Sequence, residues 1–185
     1  MIKSVKVLLG ILACLIVTDG YAQKVFVDYG GQVVIDASAI RHTTTNKPQT
    51  ARATNTTRGG DDASDIASVE NNRWVFHLFE VSKAELKATD WLTAVNGCVA
   101  LQEKGSGWRL PTYKELILML VLYPELRQFG INWNITSATI YWSATEASDT
   151  ESFALYFNNS IMAALPKVPS LNPQLYSYRC IRELD

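Results

Sequence analysis

Apolar positions along the middle of the chain fall into three distinct rhythms. From Trp74 to Val81 both parities are apolar: Trp74, Phe76 and Leu78 alternate with Val75, His77 and Phe79. A run that is apolar on both faces predicts a centrally placed strand covered on two sides. His77 reads as a packed strand histidine, because no second histidine or carboxylate cluster accompanies it. Between Asp90 and Gln102 the spacing changes to threes and fours through Trp91, Ala94, Val95, Cys98 and Leu101. That spacing predicts an amphipathic helix capped by Thr89 or Asp90, with Cys98 on its buried stripe. Thr112-Tyr113-Lys114-Glu115 then has the form of a capping box, approached through Pro111, which favours extended backbone before it. The second helix runs through Leu116, Ile117, Met119, Leu120 and Leu122 as core positions and stops at Pro124.

The third rhythm is alternation. Thr139–Thr145, Phe153–Phe157 and Leu175–Arg182 read as strands. Phe153, Leu155 and Phe157 share one face. In the last strand Tyr176, Tyr178 and Cys180 oppose Leu175 and Ile181. Helices followed by strands, with the closing strand returning to the first helix, predict an α+β domain over residues 73–185. Upstream, residues 23–41 form a hairpin segment, with apolar Val25 and Val27 before Gly30-Gly31 and Val33, Val34 and Ile35 after. An isolated hairpin is marginal in water, so it must lie on something else. Residues 42–72 have almost nothing to bury and read as a flexible polar linker. Asp61, Asp62 and Asp65 within it fit no calcium-loop spacing and read as a solvated charge run.

Residues 1–22 have the pattern of a secretory signal: Lys3 and Lys6, an apolar run from Val7 to Val17, then small residues up to Ala22. The run is too short to cross a bilayer as a helix. A lipid anchor on Cys14 is the other reading, opposed by the apolar continuation through Leu15, Ile16 and Val17. The chain is therefore expected to be exported, to the periplasm, the outer surface or beyond. Formal net charge is −1 and basic residues are scattered, so neither nucleic acid nor an anionic membrane is an expected partner. No other segment approaches transmembrane length. After export only Cys98 and Cys180 remain, and in an oxidising compartment they read as one disulfide. Closing a loop of about 80 residues stabilises by roughly 4.5 kcal/mol on the chain-entropy account.

Three motifs carry a resemblance. Gly107-Trp108-Arg109-Leu110-Pro111-Thr112 with Glu115-Leu116, then Tyr141-Trp142-Ser143-Ala144-Thr145-Glu146, then Tyr178-Arg179-Cys180-Ile181-Arg182 are similar to a bacterial C-type-lectin-like family. Its members occur as C-terminal modules of secreted adhesins and of fimbrial subunits. The resemblance covers roughly Trp74 to Asp185. It implies two helices flanking short antiparallel sheets, a disulfide from first helix to last strand matched by Cys98 and Cys180, and scaffold roles for Trp108, Leu110, Pro111 and Trp142. The Glu-Pro-Asn, Gln-Pro-Asp and Trp-Asn-Asp triplets of calcium-dependent sugar binders are absent. Trp133-Asn134 and Asn172-Pro173 read as ordinary loop residues. No metal is expected.

The candidate chemistry is sparse. Arg109, set between apolar neighbours, is expected to be partly buried and paired with Glu115 or Glu146, with ligand contact as the alternative. A related fold houses formylglycine-generating enzymes, which use a reactive cysteine pair, but this chain has only its framework cysteines. Nucleophile elbows, metal-binding histidine helices and phosphate-cradling loops are missing from the sequence, so neither enzymatic activity nor a cofactor is expected. Glu146, Asp149 and Glu151 read as an acidic loop. The excursion from Asn158 to Tyr176 holds Ile161, Met162, Leu165, Val168 and Leu171; part of it reads as a strand, while Pro166, Pro169 and Pro173 forbid a continuous ladder. It is either a recognition patch, with Asn158, Met162 and Leu165 as contacts, or a loop packed on its own domain. Two functions follow as expectations. One is an exported, non-enzymatic binding or adhesion module recognising a glycan or protein at the cell surface. The other is a structural or tip subunit of a fimbria-like assembly, its hairpin pairing with neighbouring subunits. Arg41, Arg52 and Arg58 are candidate processing sites in that second case.

Overall fold

The computed structural model describes residues 24–40, 43–44, 75–135, 139–148, 150–170 and 176–184. The leader with Cys14, the arginines and aspartates of the linker, Trp74, Asp149, Asn172-Pro173 and Leu175 lie outside them.

The described chain is a mixed α+β structure with three helices and two mostly antiparallel sheets. The first sheet has the order β1 (Lys24–Val27), β2 (Val33–Asp36), β5 (Leu78–Val81), β11 (Ile181–Glu183). The second has the order β6 (Leu86–Lys87), β10 (Tyr176–Tyr178), β7 (Ile140–Glu146), β8 (Glu151–Tyr156), β9 (Ile161–Pro166). A short parallel pair, β3 (Thr43–Thr44) with β4 (Val75–Phe76), sets Thr43 beside Val75. The hairpin β1–β2 therefore lies on its own domain, with β2 paired antiparallel to β5 from Val33↔Val81 to Asp36↔Leu78.

The second sheet is the middle layer. One face packs with the first sheet and with helix α2 (Tyr113–Val121) around Ile35, Phe79, Leu116, Met119, Tyr141 and Leu155. The other packs on helix α1 (Trp91–Ala100) around Trp91, Val95, Trp142 and Tyr178. Alternation inside strands distributes side chains between the two cores, since successive residues face opposite sides. The last strand region shows this most clearly: Tyr176, Tyr178 and Cys180 enter the second core and Ile181 the first. It is two strands in two sheets, divided at Arg179-Cys180, where a single continuous strand was expected.

Helix α1 is capped by Asp90, whose carboxylate accepts from Thr93 N at 2.7 Å. Gly97 sits where the helix crosses β10: a Cβ there would lie 2.0 Å from the Tyr178 hydroxyl. Helix α2 has the expected capping box, with Thr112 and Glu115 reciprocating. Pro124 does more than end it, because a third helix, α3 (Tyr123–Gln128), begins there with proline in its first turn. Ile117 is a further correction: it faces outward, and Leu118 takes the buried position. The central strand anticipated from Trp74 to Val81 is interrupted at His77, whose carbonyl accepts from Ala37 N.

Candidate functional site

The three sequence motifs meet at one junction. Arg109 and Ile181 exchange backbone hydrogen bonds of 2.9 Å each way, Ala144 N donates to Pro111 O at 2.8 Å, and Tyr113 N donates to Thr145 Oγ1 at 3.0 Å. Behind them the Cys98–Cys180 disulfide joins α1 to the chain between β10 and β11 across 82 positions.

Arg109 is the centre of the junction and is only 2% exposed. Its guanidinium donates to both oxygens of Glu115, Nη1 to Oε2 at 2.8 Å and Nη2 to Oε1 at 2.9 Å, while Nε donates to Glu183. Glu115 is fully buried and also accepts from Phe76 N at 2.9 Å and Thr112 N at 2.8 Å. One carboxylate thus caps α2, holds β4 and neutralises the arginine. Burial alone would raise its pKa. The Arg109 charge, the hydrogen bonds from it and those from Phe76 and Thr112 hold it below the ordinary glutamate value. The partner expected as Glu115 or Glu146 is Glu115 together with Glu183. Glu146, itself buried, pairs with Lys167, whose ammonium lies 4.8 Å from the Trp91 ring centroid.

The same pattern recurs at the rim of the junction. Arg182 pairs with Glu80 and stacks over Trp108 at 4.8 Å. It is wrapped by the turn at residues 104–107, to which it donates through the carbonyl of Lys104. Gly107 is required in that turn by its φ of 96°. A cleft of about 320 Å³ opens beside it, lined by Val99, Ser106, Gly107, Trp108 and Arg109. Its two large side chains are committed elsewhere, Trp108 to Arg182 and to the carbonyls of Glu103 and Gly105, and Arg109 to its carboxylates.

A second polar cluster was not anticipated. Arg179 is 1% exposed, yet its hydrogen bonds go to the carbonyls of Ser82, Lys83 and Asn132, and the Glu85 carboxylate stands 3.7 Å away. Its Nε and the Trp133 Nε1 are buried without hydrogen-bond partners among the described residues, and the guanidinium lies 5.2 Å from the Trp133 ring. Burial lowers the Arg179 pKa, with Glu85 opposing the shift. Glu85 accepts from the Tyr141 hydroxyl at 2.7 Å and Asn134 N at 2.9 Å. Burial and that carboxylate raise the tyrosine pKa well above its usual value. The cluster ties the segment at residues 131–135 down onto β7 and β10. Tyr141 was a motif residue, but nothing local in sequence marked Glu85.

The proposed contact residues do not form one patch. Asn158 is exposed in the turn between β8 and β9. Met162 and Leu165 stand on β9 facing opposite ways, Met162 packing against the first core and Leu165 against the second. Part of the excursion is a strand, as read from the sequence, and it ends at the first proline. β9 pairs with β8 over six residues, from Glu151↔Pro166 to Tyr156↔Ile161, and Pro166 falls at its last position. Trp108, Arg109, Pro111, Glu115 and Trp142 are all buried, and Trp142 stacks on Tyr176 at 4.8 Å.

No protein-family model matches the chain, and no curated protein sequence matches it. None of the helices among the described residues is long and apolar enough to cross a membrane.

Proposed function

We propose that this chain is an exported, non-enzymatic binding module of C-type-lectin-like fold that recognises a glycan or protein at the cell surface. The observation that carries the reading is the use of charge in the three motifs. Arg109, Glu115, Glu146 and Arg182 are each paired with an opposite charge in the described structure. Groups spent in this way build a frame and leave little for proton transfer or nucleophilic attack. Recognition is assigned to the side of the second sheet around the Asn158 turn, which stands on that frame.

The reading is tested by screening the purified protein against glycan and matrix-protein arrays. Binding that falls on Asn158→Ala and on Met162→Ser, in variants whose circular dichroism stays native, supports it. An empty array, or binding that survives both substitutions in folded protein, overturns it.

A fimbria-like structural subunit is the second reading, favoured by the outer edge of the hairpin. Phe26 and Val27 are 39% and 45% exposed on β1, and Tyr29 stands fully exposed at the tip. Open, concentration-dependent polymers in size-exclusion chromatography of the full chain would select this reading over the first.

A further inference from the structure

Every sheet edge presents unpaired N–H and C=O groups, and proteins blunt such edges with short strands, charges or covering segments. Three of the four edges of the two larger sheets are blunted here. β6 is two residues long and ends on Lys87, β1 is four residues long and begins on Lys24, and β11 is bridged through Ile181 to Arg109 and carries Arg182 and Glu183. β9 is the exception. It is six residues long, it is the outermost strand of its sheet among the described residues, and Ser152 through Pro166 carries no charged side chain. Ile161 is 52% exposed on it.

We infer that β9 pairs with β9 of a second copy of this chain, antiparallel, joining the two five-stranded sheets into one. No charged side chain of β9 enters a β9–β9 seam in any register, whereas each of the other three edges would carry charged side chains into it. A two-fold axis normal to the sheet keeps each side chain on its own face, so the pairing is centred on a residue. Centred on Ala163, it sets Ile161 opposite the partner's Leu165 on one face. On the other it sets Met162 opposite the partner's Ala164. Exposed apolar groups then cover each other, and the smallest side chain occupies the axis. Such an interface is isologous and closes at two copies. The proposal concerns the main-chain edge of β9; Met162 is shared with the recognition reading, and Asn158 lies outside the strand.

Sedimentation velocity of the purified protein over a dilution series tests it, beside Ala164→Lys and the cysteine variants Ala163→Cys and Ala164→Cys. The dimer is expected in the parent protein, and Ala164→Lys, an exposed position, weakens it by about threefold through the one approach of the two lysines across the axis. Ala163→Cys oxidises to a covalent dimer. Ala164→Cys does not, because its symmetry mate lies beyond the roughly 7 Å that a disulfide spans. A parent protein that stays monomeric throughout overturns the proposal, as does equal cross-linking of both cysteine variants. A monomer that instead captures an extended peptide of another sequence overturns it in favour of a heterologous strand. A monomer that still binds the arrays refutes the dimer alone and leaves the recognition reading intact.

Discussion

At the motif junction a guanidinium that is 2% exposed meets two buried carboxylates, and every backbone approach around it is tied to another motif. At β9 the chain is uncharged from Ser152 to Pro166, Ile161 is half exposed, and the strand's outer edge is free of any other strand among the described residues. The two regions treat water in opposite ways. At the junction charge is hidden, and there it fixes the relative positions of α2, β4 and β11. The surface that carries least charge is the one left open. Conspicuous motif residues thus mark architecture, and the proposed contact falls on an inconspicuous stretch between them.

That contrast can be broken or sharpened by substitution. Removing the disulfide with Cys98→Ser and Cys180→Ser together should cost about 4.5 kcal/mol of unfolding free energy by urea titration, the loop-closure value. Glu115→Gln should cost about 3 kcal/mol at neutral pH, because it leaves Arg109 buried with half its partners. The same variant has a signature in acid. The folded-state pKa of Glu115 lies below its ordinary value of 4.5, so below about pH 5 the unfolded state takes up a proton first. The stabilisation is whole at neutral pH and is lost as pH falls through the folded-state value. Parent and variant stabilities should therefore converge on acidification, and parallel curves would count against a charged Glu115. Gly97→Ala raises helix propensity, yet its methyl would fall 2.0 Å from the Tyr178 hydroxyl. The collision should win, with a net loss of about 1–3 kcal/mol in thermal melts. On β9, Ile161→Ser should change stability by less than about 0.5 kcal/mol.

Local spacing carried part of this structure openly. The capping box at Thr112 and Glu115 and the stripe of Trp91, Ala94, Val95 and Cys98 depend on residues three and four apart, and both stand as read. Partner choice across sheets was less legible. Glu183 reaches Arg109 because β11 registers with β5 at Glu183↔Phe79, a long-range pairing. The alternation that put Ile181 in the core also put Glu183 on its face, and that was the available signal. The prolines marked where β9 stops, and Pro166 at its final position removes only a terminal donor. Glu85 had no signal, because its partners Tyr141 and Asn134 are brought to it only by the fold.

The central claim is that the motif charges build the frame, and equilibrium urea unfolding of Arg109→Ala tests it most directly. A loss of about 3–5 kcal/mol, the usual result of stranding buried carboxylates, is the expected outcome. A loss of no more than about 0.5 kcal/mol, the range of an ordinary surface substitution, would contradict it.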